Sequence, residues 1–479
     1  MFDKYREECG VVGVVDRAEA ANLAYLGLYA LQHRGQEGAG IASTDGEALY
    51  NHRGLGLVAD VFDEEIIRQL GGQSAIGHNR YSTSGATVLR NTQPFVAEYA
   101  LGSLAVAHNG NFVNAVDLRH GLENRGAIFQ SNVDTEVLVH LIAQSQRQTL
   151  LERVIDAVTQ VEGAYSLLFL SEDEMIAARD PHGFRPLVLG RFDDGGWVVA
   201  SESCALDLME AEYVREIEPG EVVHFRRGEV RSMRPFQPVA RHACIFEYVY
   251  FARPDSRVFG RNVYEVRKEM GRQLAREAPA AADIVVPVPD SGVPAALGYA
   301  EESGIRFEMG LIRNHYVGRT FIEPTDSIRH FGVKVKLNAQ REVLEGKSVV
   351  VIDDSIVRGT TSRKIVRMLR AAGAREVHFR VSAPPTIGPC YYGVDTPTYE
   401  ELVANTKNMA QLREYVLADS LAYLSEKGLY SFLGEKREGF CDACFTGRYP
   451  VAAAAHSERR QMKLFHASEL ARGNGRTVR

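Results

Sequence analysis

The chain has 479 residues, a net charge of −7 at pH 7 and 45% hydrophobic residues. This length is more than one ordinary hydrophobic core needs, so two or three domains are expected. The acidic balance gives no reason to expect nucleic acid as a partner, and no apolar run in the sequence is long enough to span a bilayer. The composition is typical of a soluble globular protein, which we expect in the cytoplasm, with no membrane partner.

The N-terminus and the six cysteines both bear on the cellular location. Residues 1–8 are too charged for a signal peptide, which supports a cytoplasmic protein. Cysteines in the cytoplasm are expected to be reduced, so these six indicate ligand binding or catalysis rather than disulfide bonds.

The first half of the chain alternates short strand-like runs with turn signals. Strands are predicted at Ser166–Ser171, Met175–Arg179, Leu187–Gly190 and Trp197–Ser201. Helical patterns interrupt them, notably at Ala20–Gln32 and Asp134–Gln144. This order predicts an α+β domain built on antiparallel sheets.

The second half changes character. Asp283–Pro287 and Ser348–Ile352 read as continuous apolar strands, and the helical patterns Pro294–Glu302 and Arg363–Ala372 follow them. Val377–Val381 makes another strand. Strands that alternate with helices in this way predict a parallel sheet.

The domain boundary is expected after Glu221–Phe225, the last strand-like run of the first half, where Pro235 and Pro238 mark a linker. The predicted organisation is a leader at residues 1–8, a first domain at 9–235, a second domain at 236–450 and a basic tail at 451–479. A surface helix with a frayed end is the simplest interpretation of the tail.

The run from Val349 to Ser362, VVVIDDSIVRGTTS, is the most informative stretch of the second half. It reads as a buried strand, two carboxylates, a turn and the start of a helix. Ligands of open α/β sheets bind beyond such strand ends, and free N–H groups at the helix start cradle phosphate. The adjacent acids Asp353 and Asp354 suit ribose hydroxyls, a Mg²⁺ complex or a cation developing at a sugar carbon. The alternative is an ordinary strand–turn–helix with acids at the strand end.

This run resembles the signature of the type I phosphoribosyltransferases, which use phosphoribosyl pyrophosphate. The resemblance implies that Asp353 and Asp354 face the ribose and its Mg²⁺, and that Ser291 joins them near the metal. Ser291 also fits a helix cap, and both roles are compatible. The resemblance further implies a set of residues that holds the 5-phosphate: Arg358, Gly359, Thr360, Thr361 and Ser362.

A basic run lies between the two predicted strand ends. Arg329, Lys334 and Lys336 belong to it, and we interpret it as a mobile loop that closes over the pyrophosphate. A solvated basic face is the competing interpretation.

Cys9 begins a small-residue, strand-like segment just after the charged residues 1–8. A thiol needs a base to become a strong nucleophile. If the leader were removed, the α-amino group of Cys9, with a pKa near neutrality, could be that base. Taken alone, Cys9 is better explained as a buried cysteine in a first strand.

Three further motifs accompany Cys9: Gln32–Gly38, His78–Thr83 and Ala107–Asn111. Together with Cys9 they resemble the glutaminase domain of the N-terminal-nucleophile amidotransferases. The resemblance implies that Cys9 attacks the amide of glutamine, with the oxyanion held by the Asn109 side chain and the Gly110 N–H.

The same resemblance implies two contacts to the glutamine backbone. Arg80 would pair with its α-carboxylate in a forked geometry, and Asp134 would hold its α-ammonium. The competing interpretations are a loop salt bridge for Arg80 and a helix N-cap for Asp134.

The two domains in this order resemble the amidophosphoribosyltransferase family. The implied fold is an N-terminal-nucleophile glutaminase domain, with stacked antiparallel sheets between helices, followed by an α/β phosphoribosyltransferase domain with a mainly parallel sheet. The implied reaction transfers ammonia from glutamine to C1 of phosphoribosyl pyrophosphate, giving 5-phosphoribosylamine, the first step of purine biosynthesis. Purine nucleotides as feedback inhibitors and a homotetramer or homodimer are further family expectations. The alternatives are a phosphoribosyltransferase for a nucleobase and an inactive nucleotide-sensing homologue.

Four other cysteines form a possible ligand set. Cys441 and Cys444 make a CxxC pair, and Cys244 and Cys390 complete four thiols, which can bind zinc or a [4Fe-4S] cluster. The spacing alone does not choose between them. Resemblance to one branch of the family implies the iron–sulfur cluster, in a structural role, and a cleaved leader. The alternative is four unrelated core cysteines, and Cys204 is expected in the core in either case.

Overall fold

The computed structural model describes residues 9–81, 87–314, 337–434 and 438–452. The predicted leader, nearly all of the tail and the basic run with Arg329, Lys334 and Lys336 lie outside the described residues. Within the described ranges, no helix is both long and apolar enough to cross a membrane.

The first part of the chain, up to Met233, contains thirteen strands and seven α-helices in the described ranges. In chain order they are β1 (Gly10–Val15), α1 (Ala20–Ala30), β2 (Gly38–Thr44), β3 (Leu49–Leu55), α2 (Val58–Val61), α3 (Glu64–Gln69), β4 (Ser74–Arg80), β5 (Phe95–Tyr99), β6 (Gly102–Phe112), α4 (Ala115–Glu123), α5 (Glu136–Gln144), α6 (Leu150–Val158), β7 (Gly163–Leu170), β8 (Glu174–Arg179), β9 (Val188–Arg191), β10 (Trp197–Ala200), α7 (Ser203–Leu208), β11 (Glu212–Glu216), β12 (Val222–Arg226) and β13 (Glu229–Met233).

These strands form two sheets. One has the order β11-β9-β10-β1-β4-β2-β3 and the other β13-β12-β8-β7-β6-β5. The pairings in both sheets are antiparallel. The predicted α+β domain with antiparallel sheets is therefore confirmed.

The sheets stack face to face, and helices cover their outer sides. Val11 of β1 packs between the sheets with Leu168 of β7. The next residue, Val12, points to the opposite face and packs with Leu28 of α1. Successive strand residues alternate between faces, so β1 is apolar throughout because both of its faces are buried. Cys9 lies immediately before this central strand of the sheet.

The remainder of the described chain begins with short strands and continues as alternating strands and helices. The elements are β14 (Ala243–Cys244), β15 (Arg257–Val258), β16 (Arg261–Asn262), α8 (Val263–Glu277), β17 (Ile284–Pro287), α9 (Val293–Ser303), β18 (Arg306–Phe307), β19 (Leu311–Arg313), β20 (Leu337–Ala339), α10 (Arg341–Leu344), β21 (Ser348–Asp353), α11 (Thr360–Ala371), β22 (Glu376–Val381), α12 (Val403–Thr406), α13 (Met409–Val416), β23 (Ser420–Tyr423), α14 (Glu426–Leu429), β24 (Phe440–Cys441) and α15 (Ala443–Thr446).

A five-stranded sheet of order β18-β17-β21-β22-β23 forms the centre of this part, and its pairings are parallel. Val350 of β21 packs on one face with Met270 of α8. Val351 packs on the other face with Ile365 of α11. Burial on both faces explains the unbroken apolar run of β21, and the predicted α/β domain with a parallel sheet is confirmed.

One strand of the first part was not foreseen. Glu221–Phe225 is expected to be its last strand, yet β13 follows it and pairs with β12 at the sheet edge. The sequence of β13 is polar and its residues are exposed or half-buried. An edge strand of this kind needs no apolar alternation, so hydrophobic periodicity does not reveal it.

Candidate active sites

The first candidate site lies at the start of β1. Cys9 is 7% exposed. Its Sγ lies 3.4 Å from the carbonyl oxygen of Tyr81 and 3.5 Å from the backbone nitrogen of the same residue. The carbonyl of Cys9 accepts a hydrogen bond of 3.2 Å from Arg34 Nε. Strand pairing with β4 brings Cys9 beside the end of that strand, where Arg80 lies.

A pocket opens at this point and contains about 240 Å³ of space, counting its open side. It is lined by Cys9, Arg80, Tyr81, Gln93, His108, Gly110, Val133 and Asp134. The lining carries a cationic and an anionic side chain, which suits a small zwitterion such as an amino acid.

Two opposite charges face this pocket. Burial lowers the pKa of Arg80, while the neighbouring Cys9 and Asp134 counteract that effect. Burial alone would raise the pKa of Asp134, but the nearby His108 ring and a hydrogen bond from the Phe112 N–H lower it overall. The Phe112 nitrogen lies 2.9 Å from Asp134 Oδ2. The pocket therefore presents a cation and an ionised carboxylate.

Asn109 and Gly110 lie on β6, next to β7. Asn109 is 1% exposed, and its Nδ2 makes no hydrogen bond to any residue that the structure describes. Gly110 has φ +148°, and a Cβ there would lie 2.0 Å from the carbonyl oxygen of Ala164. Only glycine fits this position. Gly110 lines the pocket directly, whereas Asn109 is not one of the lining residues.

Two polar residues of the pocket, Gln93 and His108, have no role predicted from the sequence. Gln93 Oε1 accepts a hydrogen bond of 2.7 Å from the backbone N–H of His108. The His108 ring stacks on Phe112, with ring centres 4.3 Å apart, and its Nδ1 lies 3.0 Å from Thr135 Oγ1. The motif Ala107–Asn111 contains His108, so its proximity to Asn109 was the available signal.

The second candidate site lies at the carboxyl ends of β17 and β21. Asp353 ends β21 and Asp354 follows it, and each is 1% exposed. The Ser291 hydroxyl, which lies beyond β17, donates to Asp354 Oδ2. Ser355 Oγ donates to the other oxygen of Asp354 at 2.5 Å. The structure thus brings together the three residues predicted around Mg²⁺.

The predicted phosphate loop follows directly. Gly359 has φ +77° and immediately precedes α11, which begins at Thr360. Thr361 and Ser362 are buried in the first turn of that helix, while Thr360 is exposed. Arg358 forms an ion pair with Glu401, whose Oε1 lies 3.0 Å from Arg358 Nη2. A positive φ before a helix start aims backbone N–H groups outward, as phosphate loops require.

Four of the six cysteines meet in a separate cavity. Cys244 and Cys441 are register partners in the β14–β24 pair. The space between the thiols and the neighbouring apolar side chains is about 400 Å³, counting its open side. The cysteines that line it are Cys244, Cys390, Cys441 and Cys444.

The thiols in this cavity influence one another. Burial raises the pKa of Cys441 to about 12, and the charge of Cys390 adds to that effect. Burial and the other three thiols raise the pKa of Cys444 well above its usual value. Thiols crowded in an apolar cavity are strongly disfavoured as anions unless a cation binds them. Within the described ranges, no group of three or more His, Cys, Asp or Glu side chains is placed so that it could hold a metal ion.

Cys204 lies elsewhere, as predicted. It is 3% exposed in α7 and packs with the core between α1 and the first sheet. Burial raises the pKa of its thiol above the physiological range.

Comparison with known proteins identifies both parts of the chain. The family model described as a glutamine amidotransferase domain matches residues 78–208. The model described as a phosphoribosyl transferase domain matches residues 260–399. A match to both domains is the result expected for an amidotransferase and not for a phosphoribosyltransferase that acts on a nucleobase.

Full-length relatives agree with this assignment. Amidophosphoribosyltransferase 1, chloroplastic, of Arabidopsis thaliana is 56% identical over 453 residues, which is 94% of this chain and 80% of the relative. The Bacillus subtilis amidophosphoribosyltransferase is 50% identical over 450 residues, covering 93% of this chain and 94% of the relative.

A solved structure shares the whole fold. Glutamine phosphoribosylpyrophosphate amidotransferase from B. subtilis, complexed with ADP and GMP, matches with a TM-score of 0.89 and 49% identity. The match covers 93% of this chain and 98% of that one. The chain therefore belongs to the amidophosphoribosyltransferase family, glutamine amidotransferases joined to a phosphoribosyltransferase domain that catalyse the first step of purine biosynthesis.

Proposed function

We propose that Cys9 is the nucleophile that takes ammonia from glutamine. Its sulfur attacks the side-chain amide carbon, the C–N bond breaks, and a proton passes to the departing ammonia. Water then hydrolyses the thioester to glutamate. The α-amino group of Cys9 serves as the base once residues 1–8 are removed, since an α-amino group has a pKa near 7.7–8.0. The burial of Cys9 at one wall of a small polar pocket supports this role.

The Asn109 side chain and the Gly110 N–H stabilise the tetrahedral oxyanion. The supporting observation is that Asn109 Nδ2 is buried with no hydrogen-bond partner among the described residues. A buried donor without a partner costs about 1–3 kcal/mol, so it persists where a ligand completes it. Each donor of this kind typically contributes about 100–1,000-fold to kcat.

Arg80 and Asp134 orient the substrate. The guanidinium pairs with the α-carboxylate of glutamine, and the Asp134 carboxylate holds its α-ammonium. Both side chains line the Cys9 pocket, and Asp134 is kept ionised by His108 and the Phe112 N–H. The pocket thereby selects a free amino acid and directs its side chain toward the sulfur.

The strand-end site binds phosphoribosyl pyrophosphate. Asp353 and Asp354 hold the ribose hydroxyls, and together with Ser291 they fit Mg²⁺, which prefers carboxylate and hydroxyl oxygens. A Mg²⁺ ion held by these residues would neutralise the charge of the pyrophosphate leaving group. Gly359 and the start of α11 receive the 5-phosphate, with hydroxyls from Thr360, Thr361 and Ser362. Arg358 leaves its ion pair with Glu401 and binds the 5-phosphate. Contacts to the pyrophosphate are proposed for Arg329, Lys334 and Lys336.

Ammonia then forms a bond to C1 of the ribose as the bond from C1 to the pyrophosphate oxygen breaks. The product is 5-phosphoribosylamine. Water competes with ammonia for C1, so the reaction requires that water be kept away from the sugar. We infer an internal route for ammonia between the two sites. The test supplies glutamine labelled at its amide nitrogen and adds ammonia of another nitrogen isotope to the solvent. The product should keep the isotope content of the glutamine amide, and a lower content would contradict the route.

One observation carries this proposal: Cys9, Arg80 and Asp134 line a single pocket in a chain whose other half places two acids before a phosphate-type loop. The test is glutamate release with and without phosphoribosyl pyrophosphate. The wild type should release glutamate faster when the sugar phosphate is present, and Cys9→Ala should abolish release.

Cys204→Ala is the matched control because Cys204 is a buried thiol outside both sites. It should leave glutamate release unchanged. Equal losses in the two variants, or full activity in Cys9→Ala, would reject Cys9 as the nucleophile.

Cys244, Cys390, Cys441 and Cys444 hold a [4Fe-4S] cluster with a structural role. The four thiols converge on one apolar cavity, and soft thiolate sets of this kind bind iron–sulfur clusters or zinc. Anaerobically purified protein should be brown and contain about four iron atoms per chain, as one such cluster requires. A colourless protein with stoichiometric zinc would show that the four thiols bind zinc and not the cluster.

The remaining proposals concern context. Domain limits at 9–235 and 236–450 are proposed from the order of the strand-like runs, and a cytoplasmic location from the charged N-terminus. A homotetramer or homodimer is proposed from the family expectation. Purine nucleotides act as feedback inhibitors, which is supported by the B. subtilis structure complexed with ADP and GMP. Mass determination of the active protein tests removal of residues 1–8, and activity with those residues attached would disprove the α-amine as the base.

A further inference from the structure

The second half of the chain touches the segment that carries the oxyanion donors. Asn111 Nδ2, two residues after Asn109, donates a hydrogen bond of 2.9 Å to the carbonyl oxygen of Tyr391. Gly393 packs against Gly110, since a Cβ on Gly393 would lie 3.1 Å from Gly110 Cα and from its carbonyl carbon. Residues more than 250 positions apart in the sequence therefore meet beside Cys9.

This contact confines the Gly110 peptide on two sides. On the first side, β7 approaches so closely that a Cβ on Gly110 would lie 2.0 Å from the Ala164 carbonyl oxygen. On the other side lies Gly393, which is itself at φ +107°. Because Gly110 is held between two backbones through its Cα and carbonyl group, it has little freedom to change its backbone angles, and this restricts the direction of its N–H.

The 391–393 segment is in turn held rigidly. Arg185 Nε donates to the Tyr392 carbonyl oxygen at 3.0 Å, and the Tyr392 ring stacks on Phe184 with centres 4.3 Å apart. The Tyr392 hydroxyl donates to the Val451 carbonyl oxygen at 2.6 Å. These contacts involve both halves of the chain, so the segment keeps one position relative to β6.

We propose that residues 391–393 position the oxyanion donors, so that glutamine hydrolysis requires the second domain to be seated on the first. Gly393 and Asn111 are positioning residues: they act through Gly110 and Asn109 and touch no substrate. The inference rests on the oxyanion role proposed for Asn109 and Gly110. Oxyanion donors act within about 2.7–3.1 Å of the developing charge, so small displacements reduce the rate.

The test is Gly393→Ala, which inserts a methyl group 3.1 Å from Gly110. Glutamine-dependent kcat should fall about tenfold or more with little change in KM, because the lost interaction exists only in the transition state. Synthesis from added ammonium, which bypasses Cys9, should stay within about twofold of wild type. Gly304→Ala is the matched control: Gly304 also has positive φ, +70°, but nothing lies within 4 Å of its Cβ position.

Asn111→Asp is a second variant that removes the donor to Tyr391 and should reproduce the kcat loss. Full glutamine-dependent activity in both variants, or a parallel loss of ammonium-dependent synthesis, would overturn the inference. Cys9→Ala distinguishes the two levels of the account. If Cys9→Ala loses glutamine-dependent synthesis while Gly393→Ala keeps this activity, only the positioning role is wrong. If Cys9→Ala keeps glutamine-dependent synthesis, the proposed glutamine site itself is wrong.

Discussion

Glu247→Gln should destabilise the protein strongly, because Glu247 belongs to a buried charge network between the two halves of the chain. Arg34 contacts its carboxylate with two nitrogens, at 2.7 and 3.0 Å. Arg34 also donates to Glu202, and Arg185 Nη1 lies 3.5 Å from Glu247 Oε1. The side chains of all four residues are 0% exposed. Two arginine and two glutamate side chains thus lie together inside the protein.

The substitution keeps the shape of the side chain and removes one negative charge, which deprives Arg34 of one of its two buried carboxylate partners. Removal of one partner from a buried ion pair costs about 3–5 kcal/mol. A change of 1 kcal/mol shifts the thermal midpoint of a 150–250-residue domain by about 2–4 °C, so the midpoint should fall by roughly 6–20 °C. The double variant with Arg34→Gln should lose less than the sum of the single variants, since the two residues interact directly.

Differential scanning calorimetry at one fixed scan rate measures this change. The control is Glu302→Gln, which removes a carboxylate from an exposed ion pair with Arg276, 2.8 Å apart. Exposed pairs contribute little, so its midpoint should be unchanged. A midpoint for Glu247→Gln equal to that of the control would refute the claim that this charge network stabilises the fold.

Three other changes have defined outcomes. Arg80→Lys removes a forked carboxylate ligand and should raise the KM for glutamine about tenfold or more while ammonium-dependent synthesis persists; an unchanged KM would exclude the α-carboxylate contact. Thr361→Val removes a buried hydroxyl at the start of α11 and should raise the KM for phosphoribosyl pyrophosphate about tenfold. Glutamate release measured without phosphoribosyl pyrophosphate should not change. Burial lowers the pKa of His78 to about 3, so the folded state keeps it neutral while the unfolded state takes up a proton below about pH 6.5. Stability should therefore decline as pH falls from about 6.5 toward 3, by up to about 1.4 kcal/mol per pH unit from this group, and His78→Asn should flatten that decline; an identical pH profile for the variant would contradict it.

The parts of the fold that follow from local pattern were predictable. The apolar run Ser348–Ile352 predicts β21, which the structure extends to Asp353, because a strand buried on both faces leaves an unbroken apolar signal. The polar edge strand β13 leaves no such signal, and it became visible only through its pairing with β12.

The candidate sites were predictable where resemblance supplied motifs. Cys9, Arg80 and Asp134 carry recognisable neighbours and do line one pocket. The buried network was not predictable, because Arg34 lies 213 positions from Glu247 and 168 from Glu202. Composition rules place charged residues on the surface, and only tertiary pairing reveals which ones are buried together.

The most direct test of the account follows the amide nitrogen. Glutamine labelled with heavy nitrogen at its amide is supplied together with phosphoribosyl pyrophosphate. The amine product is trapped, and its isotope content is measured by mass spectrometry. We expect a labelled product from the wild type and none from Cys9→Ala, while labelled ammonium should give labelled product with both. An unlabelled amine from the wild type, or a labelled one made from glutamine by Cys9→Ala, would contradict transfer of ammonia from Cys9 to the sugar.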